Sequence, residues 1–254
     1  MKADVFLSTR NRSSRFPGKA LMRLQRRTVT EHIIDRLKLA RNISQVVLCT
    51  STSSSDDPLI QIARDSNIEH FRGSEEDKLD RYLKAARKFG TDFIAVADGD
   101  DVFCEPSFID SCVDAFNRTG ADYVSIRDAP VGTVPFCVKT EALEKVCRLK
   151  NETNTEIWTG CFTDTGLFRT MLIDAPEELR RPDIRLTLDY KEDFVLLEKI
   201  FASLYRPGKV IPLVEVIEFL TRNPRLLDIN RHMQEFYLQN QQRFQKITLR
   251  KDSP

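Results

Sequence analysis

Apolar runs of three to five residues alternate with stretches of helical periodicity along most of the chain. Val5-Phe6-Leu7, Val46-Val47-Leu48 and Phe93-Ile94-Ala95-Val96-Ala97 read as strands buried on both faces. Tyr123 to Ile126, Phe136 to Val138 and Phe168 to Ile173 extend the strand set. Between them, Val29, Ile33, Ile34 and Leu37 recur at helical spacing, with Thr28 or Thr30 placed to cap the helix. Asp56, Asp57 and Pro58 open a short helix through Ile60 and Ala63, Pro58 fitting its first turn. Leu79, Tyr82, Leu83 and Ala86 mark another helix; Ile109, Val113 and Phe116 a fourth; Leu143 and Val146 a fifth. Phe194 to Leu204 is expected to be helical, as are Val214 to Leu220 and Ile229 to Phe244 beyond the Arg206-Pro207-Gly208 turn. This β-α alternation predicts an α/β fold: a mostly parallel central sheet with helices on both faces. The expected organisation is a domain over 1–205 and a helical C-terminal extension over 206–254.

Composition narrows the picture. The chain has 254 residues, 41% hydrophobic and 30% charged, enough to build a core of one large domain. Its 39 basic and 38 acidic residues leave a net charge of +1, which speaks against nucleic acid or an anionic membrane as main partner. Lys2, Asp4 and Arg10 flank too short an apolar run for a secretion signal, so a cytoplasmic protein is expected. The six cysteines form no C-x-x-C pair and are expected to be reduced core residues. His32, His70 and His232 form no constellation, and no nucleophile motif occurs, which argues against covalent catalysis.

The charge that matters is local. Thr9-Arg10-Asn11-Arg12-Ser13-Ser14-Arg15-Phe16-Pro17-Gly18-Lys19 follows the first strand and packs three arginines, two serines and a lysine into one loop. Ligands of α/β sheets gather at strand C-termini. Arg10 and Arg15 offer forked donors to phosphate oxygens, Lys19 a mobile point charge, and Gly18 a close backbone approach. The loop reads as a phosphate binder or as a solvated basic turn. Asp98-Gly99-Asp100-Asp101 ends the third of the strands. Carboxylates on either side of a glycine suit a hard divalent cation or an acidic turn. In Arg185-Leu186-Thr187-Leu188-Asp189, alternation puts Thr187 and Asp189 on one face. Asp189 there is a metal ligand, the cap of the helix beginning near Lys191, or both. Ser74 is placed as an N-cap, with Asp77 at capping-box distance.

Arg10, Ser13, Arg15, Pro17, Gly18, Lys19 and Leu21 meet the pattern R-x-x-S-x-R-x-P-G-K-x-L without gaps. In this the chain resembles the cytidylyltransferases that make CMP-activated acidic sugars, and most of all their spore coat polysaccharide biosynthesis branch. Further matches, in order, are Thr50-Ser51-Thr52 with Asp56-Asp57, Phe71-Arg72-Gly73-Ser74 through Tyr82, Gly99-Asp100-Asp101, and Arg185 to Asp189 with Glu192-Asp193-Phe194. The likeness runs to about residue 205.

The resemblance implies a Rossmann-like nucleotidyltransferase that moves CMP from CTP to an acceptor oxygen of an acidic sugar or related anion, releasing pyrophosphate, with Mg2+ as cofactor and a homodimer as assembly. It implies catalytic roles for Lys19, Arg10, Arg15 and Asp100. Nucleotide contacts would come from Arg10, Ser13, Ser14, Arg15, Lys19, Thr50, Ser51, Arg72, Gly73, Ser74 and Asp98, and metal ligation from Asp100 and Asp189. Basic loop and carboxylates should then converge on one pocket.

Between about 128 and 183 the likeness weakens. Asn154 to Gly166 holds the only tryptophan of the chain. Glu156, Trp158, Thr163 and Thr187 are candidates for acceptor binding, with Trp158 equally readable as core or interface. The rival readings are a GT-A-type glycosyltransferase, which would not need the basic loop, a transferase using another nucleotide or a non-sugar acceptor, and a non-catalytic nucleotide sensor.

Overall fold

The computed structural model describes residues 1–12, 15–243 and 247–250. In chain order the elements are β1 (Ala3–Ser8), β2 (Arg23–Leu24), β3 (Arg27–Thr28), α1 (Val29–Leu37), β4 (Val46–Ser51), α2 (Asp57–Asp65), β5 (Glu69–Gly73), α3 (Lys78–Phe89) and β6 (Phe93–Asp98). There follow α4 (Pro106–Thr119), β7 (Tyr123–Arg127), β8 (Phe136–Lys139), α5 (Thr140–Leu149), α6 (Gly160–Thr163), β9 (Thr170–Asp174), α7 (Lys191–Leu204), α8 (Leu213–Arg222) and α9 (Met233–Arg243). Seven strands form one sheet in the order β5-β4-β1-β6-β8-β7-β9, and β2 and β3 pair separately. Only β8 runs antiparallel to its sheet neighbours β6 and β7. The mostly parallel sheet expected from the alternation is therefore present.

Alternation along the central strands feeds two apolar layers. Val5 and Leu7 of β1, Leu48 of β4 and Ala95 of β6 face α1, α2, α4, α7 and α8. Phe6, Val47 and Val96 face α3, α5 and α6. Helices cover both faces, as predicted. α1 is held by a capping box: Thr28 accepts from the Glu31 amide, and Glu31 returns the bond to the Thr28 amide. All six cysteines are free thiols, and five are buried. Among the described residues no helix is long and apolar enough to cross a membrane.

Several boundaries differ from the sequence reading. α3 begins at Lys78, and its N-cap is Asp77, which accepts from the Asp80 amide. Ser74 instead accepts from the Asp77 amide, so it braces the turn before the cap. β9 begins at Thr170, because Phe168 turns inward against Phe162 at 5.0 Å between centroids. Residues 224–229 form a 3-10 turn, and the last helix starts at Met233 rather than Ile229. Arg185 to Asp189 makes one parallel bridge to Val131 rather than a strand. Its alternation nevertheless holds, with Leu186 and Leu188 in the core.

Beyond residue 205 the chain returns to the same core: Leu213, Val216, Ile217 and Leu220 of α8 are buried against it, and the buried Arg36 guanidinium donates to the Ile211 carbonyl.

Candidate active site

β1 lies between its parallel neighbours β4 and β6, and Ser8 is in register with Asp98. The basic loop and the Asp98–Asp101 turn thus leave adjacent strands side by side, the crevice where α/β sheets bind ligands. Gly99 makes their approach close. Its amide donates to the Ser8 carbonyl at 2.8 Å, and a Cβ there would sit 2.4 Å from the Thr9 side chain. Gly18 has φ +77°, the left-handed turn that starts the short helical turn carrying Lys19.

The buried Lys19 ammonium donates to Asp100 at 2.6 Å and to the Leu188 carbonyl at 2.8 Å, and lies 3.4 Å from Asp189. Burial alone would lower its pKa. The Asp100 and Asp189 charges outweigh burial and hold it above the ordinary lysine range. Asp100 is pushed up by burial but ends below the usual carboxylate value because of Lys19. Arg15 donates to Asp189 Oδ1 through Nε at 3.1 Å and through Nη2. Arg185 takes Asp189 Oδ2 at 3.2 Å, so both oxygens of Asp189 are engaged by cations. Asp189 does not cap α7. Asp193 does that work, accepting from the Asp189 and Tyr190 amides at 2.9 Å.

These groups line a cleft of about 640 Å³, within the usual range for small-molecule sites. Arg10, Arg15, Lys19, Asp98, Asp100, Glu156, Thr187 and Asp189 all contribute to its wall. Basic loop and both acidic elements therefore meet in one cavity. Ser13 and Ser14 lie outside the described residues.

Five of the expected nucleotide contacts stand behind this wall rather than in it. The Thr50 and Ser51 hydroxyls are both taken by Asp56. The other oxygen of Asp56 accepts from the Asn11 amide at 2.8 Å, so β4 grips the basic loop from behind. Arg72 is committed to the Ser51 and Ser53 carbonyls and to Asp57. A Cβ on Gly73 would meet Arg81 Cγ at 2.9 Å, and the Ser74 carbonyl accepts from Arg81.

Two of the four acceptor candidates are also displaced. Trp158 is 3% exposed, packed edge-on against Tyr82, Tyr123, Phe136 and Phe162; it belongs to the core layer that these rings build. Thr163 is exposed on α6, donating to Asp164. Glu156 and Thr187 do face the cleft.

Three residues were not singled out from sequence. Lys78, 8% exposed, lies 3.1 Å from Glu156 and 3.7 Å from Asp98. A lysine in the first turn opposes the helix dipole, and that misfit was its signal. Asp101 is held well above the usual carboxylate range by burial and by Asp100 and Asp98. Tyr237 of α9 reaches the cleft from the C-terminal segment.

Asp98, Asp100 and Asp101 bring one oxygen each within 4.8 Å of one another. Asp98 Oδ1 is buried without a hydrogen-bond partner, and burial raises the Asp98 pKa. Crowded carboxylates with an orphaned oxygen fit a hard divalent cation. Asp98 thus joins Asp100 in the acidic cluster, while Asp189, the other carboxylate expected at the metal, is paired with Arg15, Lys19 and Arg185.

A parallel sheet that sets a cationic loop and an acidic cluster on one crevice defines a nucleotide-binding transferase. The chain belongs to the cytidylyltransferase family, whose model matches residues 5–203, and is a CTP-dependent nucleotidyltransferase. It is similar to spore coat polysaccharide biosynthesis protein SpsF of Bacillus subtilis, 29% identical over 226 residues, 86% of this chain and 93% of that protein. A cytidylyltransferase from Leptospira borgpetersenii superimposes with a TM-score of 0.80 at 25% identity, covering 89% of this chain and 97% of that one. A CMP-2-keto-3-deoxy-manno-octonic acid synthetase complexed with CTP shares the fold, with a TM-score of 0.62 at 13% identity over 80% of this chain and 99% of that one.

Proposed function

We propose that this enzyme transfers CMP from CTP to an oxygen of an acidic sugar or related anionic metabolite. The acceptor oxygen forms a bond to the α-phosphorus as the bond to the β-phosphate breaks; pyrophosphate leaves, and the acceptor's hydroxyl proton passes to solvent. Arg15 and Lys19 bind the β- and γ-phosphates and neutralise the charge that builds on the leaving group. Asp100 and Asp98 would hold Mg2+, and Asp189, which shares Lys19 with Asp100, is the further carboxylate that could join them. Bound there, the metal supplies charge neutralisation on the phosphates and acidifies the acceptor hydroxyl.

Glu156 and Thr187, which line the cleft as Ser125 and Asn154 do, would meet the acceptor. Arg10 and Lys78 both pair with Glu156, and are the cations placed to take an acceptor carboxylate. The observation that carries the reading is Lys19 bridging Asp100 and Asp189, because the lysine of the basic loop then meets both acidic elements at one point. The test is pyrophosphate release with each of CTP, ATP, GTP and UTP plus Mg2+, across acidic sugars and phosphorylated polyols. Release confined to CTP with a sugar acid is expected. Release with phosphorylated polyols alone would overturn the acceptor assignment, and release from every nucleotide alike would overturn the donor assignment.

A further inference from the structure

The family pattern accounts for residues 5–203, yet the cleft has a wall that lies beyond it. Tyr237 of α9 faces the cavity. Its ring is 5.7 Å from the Arg15 guanidinium and 5.2 Å from that of Arg185. Both guanidiniums grip Asp189. The segment is fastened by groups of the same network. Arg185 donates to Gln234 at 2.9 Å. Asn230, buried, donates to the Arg185 carbonyl at 3.1 Å and to Asp193 at 2.9 Å. Asp193 in turn holds the Arg185 guanidinium at 2.9 Å and the Asp189 amide. The C-terminal segment is therefore tied at three residues to the extended stretch that carries Asp189, and its one aromatic ring in the cleft lies between that stretch and the basic loop.

We infer that α9 is a working wall of the active site and that Tyr237 is a positioning residue, its ring holding the Arg15 guanidinium where the triphosphate end of CTP arrives. This rests on the assignment of Arg15 to the phosphates. An arginine on a loop has several rotamers of similar energy, and a ring face that favours one of them reduces what ordering costs when phosphate binds. The same ring shields the Arg15–Asp189 pair from water, which strengthens it. A phenylalanine would keep both effects. A leucine would keep bulk and lose the π face.

The experiment is a calorimetric titration with CTP and Mg2+ of the parent, Tyr237→Phe, Tyr237→Leu, Arg15→Lys and the Arg15→Lys/Tyr237→Leu double variant, with melting temperatures recorded for each. Tyr237→Leu should weaken CTP about ten-fold, the scale of a partly desolvated cation–π contact. Tyr237→Phe should restore binding to within about two-fold of the parent. The Arg15→Lys and Tyr237→Leu losses should be less than additive, because the first weakens and the second removes the same contact. Parent-like binding by Tyr237→Leu, or fully additive losses, would overturn the inference. Failure of the parent itself to bind CTP would instead overturn the proposed function. A drop in melting temperature with unchanged affinity would mark Tyr237 as merely structural and likewise overturn it.

Discussion

Replacing Lys19 with methionine keeps an unbranched side chain one atom shorter and removes its charge. In the parent one ammonium serves Asp100 at 2.6 Å and Asp189 at 3.4 Å, both deep in a cleft that also holds Asp98 and Asp101. Arg15 and Arg185 continue to hold Asp189 in the variant, but Asp100 loses its hydrogen-bonded cation and faces two carboxylates. Removing one partner of a buried ion pair costs about 3 kcal/mol or more. For a domain of this size each kcal/mol is worth roughly 2–4 °C, so a fall of about 6–12 °C in Tm is expected in EDTA. Mg2+ should narrow that gap, since a cation at Asp98 and Asp100 replaces the missing charge. Pyrophosphate release should fall about a hundred-fold or more with Mg2+ present, the scale of losing one preorganised charge donor at a transition state. The assay is differential scanning fluorimetry with and without Mg2+, beside turnover with CTP and the acceptor found in the screen. A Tm within about 1 °C of the parent in EDTA, with turnover within about three-fold, would refute the reasoning.

Three other perturbations address different links. Gly99→Ala places a methyl 2.4 Å from the Thr9 side chain and 3.0 Å from its Cα, so the Asp98–Asp101 turn must shift, and kcat should drop more than about ten-fold while the far-UV spectrum stays native. Trp158→Ala empties the centre of an aromatic cluster and should cost about 3–5 kcal/mol in chemical denaturation, whereas Trp158→Phe should retain parental acceptor KM, because the ring lies outside the cleft. Burial would raise Asp56, but bonds from Ser51, the Asn11 amide and Thr50 outweigh it and hold its pKa below the ordinary value. A depressed carboxylate stabilises the fold fully above its unfolded pKa, near 4, and loses that contribution as pH falls through the folded value. Asp56→Asn should therefore lower stability by about 1–3 kcal/mol at pH 7 and converge on the parent in acid, as followed by urea unfolding from pH 3 to 7.

Six of the seven strands of the main sheet and both helical layers were legible because central strands write themselves as short apolar runs, whereas the edge strand β5, Glu69-His70-Phe71-Arg72-Gly73, carries no such run and was missed. The pairing of the basic loop with the Asp98 turn was also legible in outline, since each follows such a run directly. What sequence could not supply was how side chains are used up by neighbours. Thr50, Ser51 and Arg72 sit in a matching pattern, yet Asp56, Asp57 and two carbonyls occupy them. Asp189 looked suited to ligate a metal, to cap the helix, or to do both; Asp193 makes the cap, and three cations pair with the Asp189 carboxylate, through contacts spanning up to 174 positions. Tyr237 lay in a glutamine-rich helix with no periodic signal toward a site, and the tie of Asn230 and Gln234 to Arg185 helps bring it there.

The central claim is that carboxylates and cations from three parts of the chain bind one metal–triphosphate unit. Calorimetric titration of CTP into the parent and Asp100→Asn, each with Mg2+ and with EDTA, tests it most directly. Tight binding by the parent only when Mg2+ is present, abolished in Asp100→Asn, is the expected result. Equal CTP affinity in EDTA, or binding by Asp100→Asn that Mg2+ strengthens as it does in the parent, would contradict it.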